Sequence, residues 1–529
     1  MNQLSPTDAA MLFVETSTTP NHITPLILFD QSTVPGGKLR LSQIKERVEQ
    51  GLEGAPNFRR KLVRTPLDFD DPYWVDDPDF DIDFHIRHLA LPKPGDWRQL
   101  CIQAARLMSR PLDPTHPMWE LYVIEGLDNI PDLPPGAFAV MMKIHHAMID
   151  GMGMVALFGA LLDSTPEPPA RPATPAKKWK PEPGPTVVEM LTRSWLHSIS
   201  RPAQFATRLS QLLPGAIKDA IADSRSSSGD EVGRGLAPKT PYNGSITPSR
   251  VLSWQSFEFD EIKAMRAVVP GSTVNDVMLA ITAGAQRRYL MSKNALPDGT
   301  LLCGVPISVR SAETSDNPGG NEITTAVVPL FTHIADPVER MRLIMGATAQ
   351  MKNNDKAMSA NAIADLSSSI PGVFVGMLGR AVTAIGDRTG RALVCNTGLT
   401  NVPGSKQPLY MCGAKMVNVV GGVPLLANMG MAHVVGSYNG IINLSVVACR
   451  DLVPDIDFYT QCIEESVDEY RTLTEKAAPG TFKSRPSRSQ PKATEEGAAS
   501  APQPRRVAKT RAKAAPRPSA KAGAAAPAG

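Results

Sequence analysis

His145 to Gly151 reads His-His-Ala-Met-Ile-Asp-Gly, an H-H-x-x-x-D-G string between a mostly apolar run, residues 137–144, and a second one, residues 152–162. This layout predicts a strand, a tight loop and a helix, with two imidazoles at the strand's end. Four fixed positions at this spacing recur by chance in roughly one chain in a thousand of such length. A neutral imidazole accepts a proton near neutral pH and returns it later, because its unperturbed pKa is about 6.5. The chemistry on offer is general acid–base catalysis, with His146 as the base. Asp150 is read as the helix N-cap that shapes the loop. Gly151, without a Cβ, lets the backbone turn tightly and offers amide donors at the helix start. His145 has two readings, a second member of the catalytic set or a core histidine whose ring nitrogens are satisfied.

The elements that must position this string span a long chain. Its 529 residues exceed one ordinary core and predict two large domains with additional segments. In residues 1–163, strands over 23–29 and 119–124 alternate with helices over 41–52 and 97–107, an α/β or α+β pattern. The Pro-rich stretch 165–185 sustains neither ladder and is an extended linker. Residues 187–223 are helical with breaks at Pro202 and Pro214, and 224–248 return to Ser, Gly and Pro. The second half opens near Arg250, where Leu252, Trp254 and Phe257 mark a strand before a helix over 261–267. Asn275-Asp276 precedes a helix over 277–289. Strands over 301–309 and 324–331, helices over 338–351 and 362–385, a last strand pair at 416–420 and 440–449, and a closing helix over 456–473 complete the half. The domain boundaries are thus 1–163, 164–249 for the crossover, 250–475, and a tail over 476–529.

The net charge of +3 conceals an asymmetry, since twelve Lys and Arg against two Glu lie from Lys476 onward, leaving an acidic body. That tail of Ala, Pro, Lys, Arg and Ser has too little apolar surface to offset its ordering entropy and is expected to be disordered. Its charge suits an anionic surface, whether phospholipid or nucleic acid, and equally a purely solubilising role. The six cysteines show no C-x-x-C and sit mostly in apolar surroundings, as small buried hydrophobes in a reducing compartment. No basic segment followed by an apolar core opens the chain, so no secretory signal is visible and a cytoplasmic location is expected. The longest uncharged stretch, residues 416–449, is interrupted by Asn418, Pro424, Asn428, His433, Asn439 and several glycines. Those groups exclude a lipid-spanning helix and favour buried strands or the wall of an apolar tunnel. H-E-x-x-H, G-K-S/T and G-x-S-x-G are absent, and Gly151-Met152-Gly153 lacks the third glycine of a dinucleotide loop. No metal site is expected, and a serine esterase is disfavoured.

Over nearly all of residues 1–475 the chain resembles the bacterial wax ester synthase/diacylglycerol acyltransferases. The resemblance is carried by Leu4-Ser5-Pro6-Thr7-Asp8-Ala9 with Glu15-Thr16 and Asn21-His22, by Pro111-Leu112-Asp113 with Pro117-Met118-Trp119-Glu120, and by His145 to Gly151. Asn275-Asp276, Asn401-Val402-Pro403-Gly404, Tyr438-Asn439-Gly440 and Asp451-Leu452-Val453-Pro454-Asp455 complete it. Three departures stand out. Met118 replaces the usual Leu, a volume-conserving change. Thr400 and Ser405 flank Asn401 to Gly404 where Ser and Pro are usual, and Ser249-Arg250 stands where a paired Arg is common. The basic tail lies outside the resemblance.

The resemblance implies a fold of two chloramphenicol-acetyltransferase-like α/β halves with mixed sheets, joined by a long crossover and meeting at a tunnel. It implies transfer from a long-chain acyl-CoA to diacylglycerol or a long-chain fatty alcohol, giving triacylglycerol or wax ester and free coenzyme A, with no cofactor beyond the acyl-CoA substrate. His146 would be the base, with His145, Asp150 and Gly151 in the same motif. Asn275 would position the substrate or support the oxyanion, the Gly151 amide being a second donor. Asn275 is equally a candidate helix cap, and Asp276 a first-turn carboxylate facing the helix dipole. Trp119, Asn401, Pro403 and Gly404 would bind substrate or hold structure.

Peripheral attachment to an inner membrane or lipid inclusion is expected, with residues 187–221 as an interfacial helix or, alternatively, one packed on the domains. No nucleic-acid partner is expected, the basic tail alone leaving room for one, and the sequence leaves acceptor preference and oligomeric state open. Two competing readings remain, a condensation-type domain that takes its acyl group from a carrier protein and a non-enzymatic lipid-binding relative.

Overall fold

The computed structural model describes residues 2–149, 157–167, 179–197, 237–308, 323–357 and 372–479, apart from 69, 132, 391 and 393. Residues 1–482 form one unit and 483–529 a second, the latter wholly outside the described residues. The predicted disorder of the tail, Asp150, Gly151, and most of the crossover fall outside them too.

Phe138–His145 is buried at every position, and its near-continuous apolar run is what a strand covered on both faces requires. It lies centrally in a mixed sheet, between Leu26–Asp30 and Trp119–Glu125, with Ile86–Ala90 parallel to the latter at one edge. The opposite edge comes from the far end of the chain. Ala414–Val420 pairs antiparallel with Leu26–Asp30, and Tyr410–Met411 pairs outside it. The second half builds its own sheet in the order Ile323–Pro329, Leu302–Ser308, Thr397–Pro403, Met431–Tyr438, Ile441–Cys449, Arg250–Glu258. A third sheet, Asn2–Gln3, Tyr73–Asp76 and Arg60–Val63, flanks the first half.

The expected last pair, 416–420 with 440–449, is not formed. Ile441–Cys449 pairs instead with Met431–Tyr438 through a two-residue hairpin, Asn439-Gly440, both at positive φ (44° and 83°). This is the turn an Asn-Gly pair between apolar runs favours, because its twist matches that of the strands. The strand at 414–420 is thereby released to cross into the other sheet, where side chains of the second sheet hold it. Asn443 Nδ2 donates to Asn418 Oδ1 at 2.7 Å and to the Val419 carbonyl at 2.9 Å, and Ser445 Oγ donates to the Gly421 carbonyl at 2.7 Å.

Each half has its own core, and a third apolar cluster lies between them. Leu26, Leu28, Leu100, Met108, Tyr122 and Met141 of the first half meet Leu252, Trp254, Ala432 and Val447 of the second there. Helix Trp97–Met108, capped by Asp96 in a capping box with Gln99, lies against strand Arg250–Glu258 and brings Trp97 onto Trp254. The histidine strand contributes Met141 to this seam and ends at its margin. There Pro20, His22 and Met108 face Arg250, Val423 and Val447 across a narrow crevice.

Candidate active site

Three imidazoles gather where the strand ends. His22 pairs with His145 and Ile23 with Ile144 in antiparallel register. His145 N–H donates to the Met118 carbonyl at 3.0 Å, and His146 N–H donates to the Asn21 carbonyl at 2.9 Å. Sequence reading placed His145 and His146 together and met His22 only as part of the family's opening segment, with nothing to join it to them; strand pairing does that.

Two of the three are buried. His22 is 3 % exposed, and burial, followed by the nearby Lys143 charge, pushes its pKa well below the ordinary value. Its Nε2 donates to the Met108 carbonyl at 2.9 Å, and the lowered pKa makes the ring a weaker base than a free imidazole. His145 is 1 % exposed and uses both nitrogens. Nδ1 accepts the Ala147 N–H at 3.1 Å, so the ring proton sits on Nε2, which faces Glu15 Oε2 at 3.0 Å. With no lone pair to offer, His145 acts as a brace for the 3₁₀ turn His146–Met148. His146 opens that turn and is half-buried.

The first half's opening segment supplies the rest of the brace. Ser5 caps helix Pro6–Phe13 by accepting the Asp8 N–H, and the helix leads into Glu15 and the loop to Asn21. The second Glu15 oxygen accepts the Asn21 N–H at 3.3 Å, and Asn21 Nδ2 donates to the Met11 carbonyl at 2.9 Å. Arg250 ties the second half to the same loop, its guanidinium donating to the Thr18 carbonyl at 2.5 Å. A single arginine makes this link where the family resemblance led one to look for a pair.

Two residues before His145 and on its face of the strand, Lys143 is buried beside Glu120. Its Nζ lies 3.3 Å from Glu120 Oε2, which also accepts the Tyr122 hydroxyl at 2.5 Å, while Arg87 reaches Oε1 at 3.3 Å. Burial lowers the Lys143 pKa against the opposing pull of Glu120, and raises that of the Tyr122 phenol. This set fixes the strand's approach to the histidines.

Trp119 lies deep in the first half rather than on an open surface. At 2 % exposure it donates from Nε1 to the Phe58 carbonyl at 2.7 Å, and its ring stacks on His85 at 4.3 Å. Its backbone pairs with Ile144, which makes it the strut beside the histidine strand.

Asn275 and Asp276 are parted in role. Helix Val274–Ser292 is capped by Thr273, and Asp276 closes the capping box. One Asp276 oxygen takes the Thr273 N–H and hydroxyl, both at 2.8 Å, and the other takes the Thr348 hydroxyl at 2.7 Å. Thr273 as cap removes capping as the reason for Asn275, which stands half-buried in the first turn.

Asn401 and Pro403 pair with Val435 and Ser437 at the exposed end of Thr397–Pro403. Gly404 lies so close to the neighbouring strand that a Cβ there would sit 2.2 Å from the Ser437 carbonyl oxygen. Gly404→Ala is therefore expected to lower stability by about 1–3 kcal/mol, the usual cost of overpacking. Urea unfolding checks this, and an unchanged midpoint would contradict it. Among the described residues no cluster of His, Cys, Asp or Glu side chains is arranged to hold a metal ion.

Residues 4–278 match the wax ester synthase/diacylglycerol acyltransferase catalytic domain, and residues 319–471 match the C-terminal domain of the same family. A putative diacylglycerol O-acyltransferase of Mycobacterium tuberculosis is 31% identical over 478 residues, covering 88% of this chain and 90% of the relative. The chain belongs to the wax ester synthase/diacylglycerol acyltransferase family. It is an acyl-CoA-dependent acyltransferase. The wax ester synthase/diacylglycerol acyltransferase from Marinobacter aquaeolei VT8 superposes with a TM-score of 0.62 at 25% identity, over 90% of this chain and all of that one. A more distant likeness, TM-score 0.51 at 11% identity over 91% and 97% of the two chains, links the fold to the first condensation domain of the calcium-dependent antibiotic synthetase. The family's two-half architecture is that seen here, with the opening segment, this chain's Pro-Met-Trp-Glu strand and His145-His146 converging on one strand end.

Proposed function

We propose that this acyltransferase esterifies diacylglycerol with a long-chain acyl group from acyl-CoA, with long-chain fatty alcohol as a second acceptor, and that His146 is its general base. The observation that carries the assignment is the occupation of the neighbouring His145, which has spent both ring nitrogens; burial, in addition, makes His22 a weaker base.

In this reading the acceptor hydroxyl gives its proton to His146 as its oxygen attacks the thioester carbonyl. Negative charge collects on the carbonyl oxygen, where Asn275 or the Gly151 amide would meet it with preorganised donors. When the intermediate collapses, the C–S bond breaks and the imidazolium proton passes to the departing thiolate. No covalent acyl-enzyme forms, so holding both substrates together in the seam between the halves supplies much of the rate.

The test is free-thiol release from palmitoyl-CoA by the purified protein, with dioleoylglycerol or hexadecanol added. Acceptor-dependent release supports the reading. Release that needs an acyl-carrier protein as donor would favour the condensation-type reading, and lipid binding without turnover the non-enzymatic one.

Water-insoluble acceptors imply a lipid surface, and among the described residues no helix is long and apolar enough to cross a membrane. The helical segment 187–197 is the proposed docking element. Met190 and Ser194 are buried and His197 Nδ1 meets Asp70 Oδ2 at 2.6 Å, whereas Val187, Val188, Leu191, Trp195 and Leu196 remain exposed. The remainder of the expected interfacial helix, 198–221, lies outside the described residues. Trp195→Glu should reduce partition onto phosphatidylglycerol vesicles by about tenfold or more, since burying one large apolar side chain contributes roughly 1.5–3 kcal/mol. Undiminished co-sedimentation would remove this helix from the account.

A further inference from the structure

We propose that Glu15 is a positioning residue for the acyl-transfer reaction, acting on His146 through His145. The inference rests on His146 being the base and adds what holds it there.

Glu15 and His145 are 130 residues apart in sequence and joined at 3.0 Å. The carboxylate does two things at once. One oxygen accepts the His145 Nε2 proton, which leaves Nδ1 unprotonated and able to receive the Ala147 N–H. The other accepts the Asn21 N–H at 3.3 Å, and the Asn21 carbonyl in turn accepts the His146 N–H. The turn that carries His146 is therefore gripped from both sides by one side chain, through the His145 ring on one path and the Asn21 peptide on the other. Helix Pro6–Phe13, which leads to Glu15, also packs on that turn.

Only a group with two acceptor atoms satisfies both contacts. A glutamine in its place would turn its amide N–H₂ toward either the His145 Nε2–H or the Asn21 N–H, donor against donor. The His145 ring would then gain by changing tautomer, which takes the acceptor away from the Ala147 N–H and loosens the turn. An aspartate keeps both oxygens but is one methylene too short to reach both partners at these distances. The Glu15 side chain is 23% exposed, so its removal opens no large cavity. The effect is thus expected in geometry more than in stability.

Steady-state kinetics with palmitoyl-CoA and dioleoylglycerol on the full chain test this, using Glu15→Gln, Glu15→Asp, His145→Gln and the Glu15→Gln/His145→Gln pair. Glu15→Gln should lower kcat by about 10²-fold, as a displacement of a catalytic group by roughly 1 Å does, with KM for palmitoyl-CoA little changed. Glu15→Asp should recover part of the loss. The paired variant should lose less than the product of the two single losses, because Glu15 acts in part through that ring. Full kcat in Glu15→Gln, a loss confined to KM, or losses that multiply in the pair would each overturn the proposal. Nitrogen NMR of the unmodified protein labelled at histidine gives a second readout that needs no variant to fold. The proposal requires His145 protonated at Nε2, and a proton on Nδ1 sinks it. Should His146→Ala retain turnover, the base assignment itself fails. Should His146→Ala be inert while Glu15→Gln is fully active, only the positioning role fails.

Discussion

Trp119→Ala is expected to destabilise the protein by about 3–5 kcal/mol, the cost of deleting a large buried aromatic side chain. Three contacts disappear together. The indole leaves a void between Phe58 and His85, the Phe58 carbonyl loses its buried donor, and the strand beside Ile144 loses its anchor. Against a typical stability of about 5–15 kcal/mol this is a large fraction. Trp119→Phe separates the contributions, keeping most of the ring while stranding the Phe58 carbonyl at a cost of about 1–3 kcal/mol. Urea unfolding of the two variants beside the parent protein measures both. A shift below about 1 kcal/mol for the alanine variant, the scale of an ordinary surface change, would mean that Trp119 faces a ligand site and not the core.

The elements were largely legible in sequence, because periodicity and flanking signals are local. The helix expected over 41–52 is Leu41–Leu52, the one over 97–107 is Trp97–Met108, and that over 277–289 lies within Val274–Ser292. Helix starts were less clear where two candidates compete. Thr273 and Asp276 form a Thr-x-x-Asp capping box, yet Asn275 between them is as good a cap by residue type alone. Strand partners were harder still. Nothing local tells residues 414–420 to leave their sequence neighbours for Leu26–Asp30, since pairing is settled by which sheet edge is vacant and which face is apolar. The Asn439-Gly440 turn was the available signal for the missed strand Met431–Tyr438.

The site divided in the same way. The string from His145 to Gly151 announced a proton-transfer group and pointed to His146 as the base, but not what holds the rings beside it. Those partners are distant in sequence, Glu15 for His145 and Met108 for His22. Glu15 was visible only as part of a family segment, with no spacing to connect it to a histidine so far along the chain. Trp119 was recognisable as a motif residue, while its role as a strut depends on Phe58 and His85, which no motif contains.

His146→Ala bears most directly on the account as a whole. Removing a general base from a reaction whose nucleophile is a neutral alcohol costs about 10²–10⁴-fold in rate. Of the neighbouring imidazoles, His145 is spent on Glu15 and the Ala147 amide, and burial makes His22 a weaker base. Palmitoyl-CoA with dioleoylglycerol or hexadecanol, followed by free-thiol release, should show acceptor-dependent turnover in the parent protein. The folded His146→Ala protein should have lost it by that factor while still binding palmitoyl-CoA. Turnover that survives the substitution within a few-fold would contradict the assignment of His146 and, with it, the mechanism.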